Sequence, residues 1–132
     1  MIPFKKFIPG IAWFFFVLIL ICLPGSNLPK ADTWMECIYF DKWVHLGLFG
    51  ILSLLFLIPI IKASIQVVMQ QKLLWSVVVW VSIWGITTEF IQKYWVAGRS
   101  FDLGDWAADT VGALLALCFV KWKYSNINKN KI

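Results

Sequence analysis

Apolar residues gather along the chain into four long blocks separated by short polar stretches. The first is unbroken from Ile11 to Leu23. Counted back to Phe7 it reaches about 17 residues, the lower limit for a helix that crosses a bilayer. The second runs from Trp43 to Ile61, with Pro59 near its far end; the third covers Leu73 to Gln92; the fourth begins near Asp105 and ends around Trp122. At about 1.5 Å of rise per residue, each block is close to one hydrocarbon thickness of helix. The pattern predicts an all-α membrane protein. Its expected form is a four-transmembrane-helix bundle in a single domain over 1–132, with helices near 7–23, 41–61, 73–95 and 105–122.

Composition agrees with that reading. With 61% hydrophobic and 14% charged residues, the chain lies far from the soluble-domain average. Lys5 and Lys6 ahead of a short apolar run resemble a signal peptide. No small-x-small cleavage site follows, and Ile21 rather than a small residue precedes Cys22, so a retained helix is expected. Cys22, Cys37 and Cys118 have no metal or redox spacing. Cys37 alone is expected on the oxidising side. The Asn/Lys tail reads as unstructured.

Charge sets the expected orientation. With four spans, the N-terminus, the Lys62–Lys72 loop and the C-terminal tail share one side. That side carries Lys5, Lys6, Lys62, Lys72, Lys121, Lys123, Lys129 and Lys131 and no acid. The positive-inside rule makes it cytoplasmic, with both termini inside. The acids Asp32, Glu36, Asp41, Glu89, Asp102, Asp105 and Asp109 all fall in the other half. The net charge of +5 is therefore a topology signal and does not point to nucleic acid. Trp43, Tyr94, Trp95, Phe101 and Trp106 would mark the outer interface, and Trp75, Trp122 and Tyr124 the inner one.

The candidate chemistry lies at the outer end. "DKWVH" places Asp41 and His45 at i and i+4, "EFIQ" places Glu89 and Gln92 at i and i+3, and "DWAAD" places Asp105 and Asp109 at i and i+4. Arg99 stands in the loop between the last two helices. Ordinary roles exist for several of these residues. Asp41 and Asp105 suit helix N-caps, and Asp102 suits a turn cap or a solvent-facing position. Lys42 and Lys93 suit snorkelling to the interface, and Lys93 sits four residues after Glu89, right for an ion pair. His45 suits a buried hydrogen-bonding residue. Glu89 resists such a role, because a carboxylate deep in a span costs about 2.5–3.5 kcal/mol on insertion scales and the helix C-terminus disfavours an anion. A partner such as Arg99 or His45, or a neutral, protonated carboxyl, would offset that cost. Gly85, Gly112 and Ala116 allow the close approach that would gather these groups into one outward-facing mouth.

"DKWVHLGLFGILS" at 41–53, "EFIQ" at 89–92 and "GRSFDLGDWAADTVGALLA" at 98–116 together resemble the VanZ-like membrane proteins. The likeness covers about Phe7 to Trp122. It implies four membrane helices in the bacterial cytoplasmic membrane and a link to low-level teicoplanin resistance, with no established molecular activity. By position it carries over Asp41, Lys42, His45, Glu89, Gln92, Arg99, Asp102 and Asp105. At Asp109 the family more often has Asn, which puts in doubt any scheme needing an amide donor there.

Two classes of function fit. One is an enzyme acting on a lipid-linked or cell-envelope substrate. His45, Glu89 and Asp105 are its candidate catalytic groups, with His45 and Glu89 as acid and base, and Asp41 would orient His45. Asp41, Lys42, Gln92, Arg99, Asp102 and Asp109 would bind substrate, Arg99 by a bidentate contact to an anion. No activated nucleophile is evident around Ser100 or Thr110, and a single histidine excludes a two-histidine lipid-phosphatase arrangement. The other class is a non-catalytic binder of membrane lipid, an envelope precursor or the glycopeptide itself. A small ion-coupled transporter is a third reading, with little room for alternating access. No cofactor is marked. Carboxylates with one histidine suit Mg²⁺, Ca²⁺ or Mn²⁺ better than zinc, without a ligand-spacing motif to identify a metal.

Overall fold

The computed structural model describes residues 2–24 and 40–129, with side chains described as far as residue 124. Asp32, Glu36 and Cys37, and the last three residues of the tail, lie outside the described residues. A short 3-10 turn, Phe4–Phe7, leads into α1 (Ile8–Ile21), followed by α2 (Phe40–Ile61), α3 (Val67–Trp95) and α4 (Leu103–Lys129). Among the described residues there is no strand. Four helical segments, the first including the 3-10 turn, are long and apolar enough to cross a membrane, as expected of a multi-pass membrane protein.

The helix ends follow local chemistry. Pro9 sits in the first turn of α1, where its missing N–H costs nothing. The helix closes with Cys22 N–H on the Leu18 carbonyl, just ahead of Pro24. Pro59 is tolerated near the end of α2, and the Gln70 amide nitrogen donates to the carbonyls of Ile60, Ile61 and Ala63 at 3.1–3.2 Å. Gln70 thus satisfies carbonyls that the helix end leaves open. The α2–α3 connection is consequently shorter than the Lys62–Lys72 loop read from the sequence, because α3 starts at Val67 and Lys72 is already helical. At 29 residues α3 is about 43 Å long, well over one hydrocarbon thickness. Likewise α4 starts at Leu103 and runs to Lys129, so most of the tail expected to be unstructured continues the helix.

The interior is apolar, built from Val17 and Ile21 of α1, Phe49, Leu52 and Leu57 of α2, Leu74 and Val81 of α3, and Ala113, Leu117 and Val120 of α4. The tightest pairing joins α2 to α4. A Cβ on Gly112 would collide with the Leu46 carbonyl oxygen and stand 3.1 Å from Gly50 N, so glycine is what lets these backbones meet. Exposed Phe15, Ile19, Ile51, Val79, Ile83 and Phe119 supply an apolar outer surface. Trp43, Tyr94 and Trp95 are exposed at one end and Trp75 and Trp122 at the other, where Lys121 lies over the Trp75 ring at 5.3 Å. Trp106 departs from the interfacial role expected of it. Its indole N–H donates to the Ser82 carbonyl at 3.1 Å, which ties α4 to α3.

Candidate functional site

Three helix ends carry the polar groups to one place. His45 stands in the second turn of α2, Glu89 two turns before the end of α3, and Asp105 and Asp109 in the first turns of α4. The α3–α4 loop turns at Gly98, whose φ of 75° is the left-handed region that glycine occupies without strain. Asp102 then caps α4, its Oδ1 accepting Gly104 N–H at 2.6 Å. The cap expected at Asp105 thus falls three residues earlier, since α4 begins at Leu103. Asp105 is left free to point inward.

His45, Glu89, Gln92, Asp105, Asp109 and Thr88 are all buried. His45 Nδ1–H donates to Asp109 Oδ1 at 3.0 Å, while Nε2 stands 3.9 Å from Asp105 Oδ2, too far for a hydrogen bond. Asp109 therefore orients His45. Asp41, expected in that role, is exposed at the start of α2, and its Oδ2 lies 3.7 Å from Lys42 Nζ. The reason is the glycine contact between α2 and α4, which puts a carboxylate of the facing helix closer to the imidazole than one on its own. Gly85 leaves the room for it, because a Cβ there would come within 2.8 Å of Asp109 Oδ2.

Lys42 is more than an interfacial lysine. Its Nζ donates to Asp102 Oδ2 at 2.7 Å and to Asp105 Oδ1 at 3.0 Å, bridging the α4 cap to the buried cluster. Gly104 accommodates the stem, since a Cβ would stand 2.6 Å from Lys42 Cε. The Lys42 ammonium, and after it the Gly104 N–H, hold the Asp102 carboxyl below the usual carboxylate range.

Glu89 is fully buried, yet neither Arg99 nor His45 neutralises it directly. Its Oε2 accepts the backbone N–H of Asp102 at 2.8 Å, and its Oε1 is buried without a hydrogen-bond partner among the described residues. Lys93 is exposed, with its ammonium 5.2 Å from the Tyr94 ring centre, and forms no ion pair with Glu89. Arg99 is half-buried in the loop. Its guanidinium makes no hydrogen bond or ion pair with any described residue, and its Nε is buried.

The structure thus brings together His45, Glu89, Asp105, Asp109, Lys42 and Asp102, keeps Gln92 buried one turn beyond Glu89, and leaves Asp41 and Arg99 outside the hydrogen-bonded cluster. Sequence reasoning missed the Asp102 backbone N–H as the partner of Glu89, and Gly104 as the space for Lys42. The "DLGD" run was the available signal for the second. Chemically, the arrangement offers an oriented imidazole, buried carboxylates and two cations of different standing, Lys42 engaged and Arg99 unengaged. Comparison with protein-family models, with curated proteins and with solved structures gives no match, so its own geometry is the basis for reading the site.

Proposed function

We propose that this protein is a VanZ-like protein of the bacterial cytoplasmic membrane, and that its polar site binds the anionic head group of a lipid-linked envelope compound. Both termini lie in the cytoplasm in this reading and the site opens outward, as the acid-free, lysine-rich side of the chain favours. The observation that carries the proposal is Arg99: a guanidinium in the α3–α4 loop without an ion pair to any described residue, while Lys42, His45 and the Asp102 N–H each engage one oxygen of the cluster carboxylates. A planar guanidinium in that state suits a phosphate or carboxylate held by two N–H groups. Gln92, buried and without a side-chain hydrogen bond to a described residue, supplies a further polar contact.

A second reading rests on the His45–Asp109 hydrogen bond. It gives the imidazole a fixed orientation of the kind that proton transfer uses, so His45 acts as acid or base on the bound head group. Teicoplanin tolerance is the cellular phenotype expected of either.

Binding is tested with the protein in vesicles of zwitterionic lipid containing an isoprenoid phosphate. Arg99→Ala should weaken retention at least tenfold while Lys93→Ala leaves it unchanged. Equal retention by both variants would remove the anion site. In cells, Glu89→Gln should accumulate normally, because the amide oxygen still accepts the Asp102 N–H, and yet lose the tolerance phenotype. Normal tolerance at normal protein level would take the Glu89 charge out of the mechanism.

A further inference from the structure

We propose that His45, Glu89 and Asp105 form a binding site for one divalent cation, of the Mn²⁺ kind, between α2, α3 and α4. A nitrogen of His45 and one oxygen of each carboxylate lie within 4.8 Å of one another, and all three side chains are buried. The 3.9 Å between His45 Nε2 and Asp105 Oδ2 is too long for a hydrogen bond. It is within reach of two bonds of about 2.1 Å to a single ion.

Surrounding contacts prepare each ligand. Asp109 accepts the Nδ1–H of His45 and so leaves the Nε2 lone pair directed away, the carboxylate–histidine arrangement that accompanies metal-bound imidazoles. Lys42 holds Asp105 through Oδ1 and leaves Oδ2 toward His45. The Asp102 N–H fixes Glu89 through Oε2.

An independent observation calls for a ligand. Glu89 Oε1 is buried, has no hydrogen-bond partner among the described residues, and belongs to a carboxylate already held in place by its other oxygen. Three buried carboxylates, Glu89, Asp105 and Asp109, also share one imidazole and the Lys42 ammonium on Asp105, at a depth where uncompensated charge is costly. A divalent cation answers both. One nitrogen and two carboxylate oxygens suit Mn²⁺, which accepts imidazole and prefers oxygen. Three protein ligands leave positions open for water or a substrate oxygen.

The chain has one histidine, which makes the test specific. Full-length protein, purified in detergent with a histidine-free tag and stripped with chelator, is titrated with Mn²⁺ and followed by electron paramagnetic resonance. Close to one ion per chain is expected, with an imidazole ¹⁴N coupling that only His45 can supply. His45→Gln and Glu89→Gln should each weaken binding tenfold or more. Absence of stoichiometric binding by the unaltered protein, or binding without the nitrogen coupling, would overturn the proposal. So would binding that survives His45→Gln but is lost in Asp41→Asn, which would place the ion in the outer group of Asp41, Asp102 and Asp105. Metal content is read on purified protein and anion retention on vesicles, so each proposal can fail without the other.

Discussion

Asp102 holds three jobs at once. Its side chain caps α4 and pairs with Lys42, while its backbone N–H meets Glu89. Its carboxyl is held below the ordinary range chiefly by Lys42, so the charged form is favoured in the folded protein. For a depressed acid, the associated stability is present above the unfolded value of about 3.9 and is lost as pH falls through the lower folded value. Thermal unfolding in detergent should therefore show the unaltered protein losing part of its stability below about pH 4. Asp102→Asn should lack that part, and identical acid profiles for the two would refute the assignment. None of this was legible residue by residue. The sequence offers Asp102 and Asp105 as rival caps, and only the start of α4 at Leu103 decides between them. Nor does helical spacing reveal that Glu89 meets a backbone donor, since that depends on how the loop folds at Gly98.

Helices fared better than contacts because the two rest on different information. Long apolar blocks announce spans by themselves, and the observed α2 matches the helix expected over 41–61 to within a residue. Partner choice depends on how closely helices approach, and that is set by single glycines. Spacing within α2 favoured Asp41 for His45, whereas the α2–α4 contact at Gly112 delivered Asp109. Gly112→Ala should therefore destabilise by about 1–3 kcal/mol through overpacking against the Leu46 carbonyl. Gly47→Ala meets nothing within 4 Å and should be neutral, or stabilising by up to about 1 kcal/mol from helix propensity. Detergent unfolding of both variants checks the pair, and equal effects would mean that the two helices do not depend on that close approach.

For the whole molecule the decisive property is sidedness. Ala63 lies in the short connection between α2 and α3, at the opposite end of those helices from His45 and Glu89. In a background with the native cysteines replaced by serine, Ala63→Cys should resist a membrane-impermeant thiol reagent in intact cells and react after permeabilisation. Labelling of intact cells would reverse the orientation and carry the site to the inner face.

Among the described residues, every side chain of the polar cluster comes from α2, α3, α4 or the loop joining the last two. The first helix reaches the others through its Trp13 indole N–H on the Leu48 carbonyl, through Phe14 against Trp80 and Trp84, and through buried Val17 and Ile21. It is a strut, and the other three helices are the receptacle. Substitutions along α1 are judged by fit and greasiness alone, apart from the Trp13 hydrogen bond and the Gly10 contact with the Phe56 ring. The remaining helices carry a second constraint at their polar ends, where a change that packs perfectly well can still be wrong.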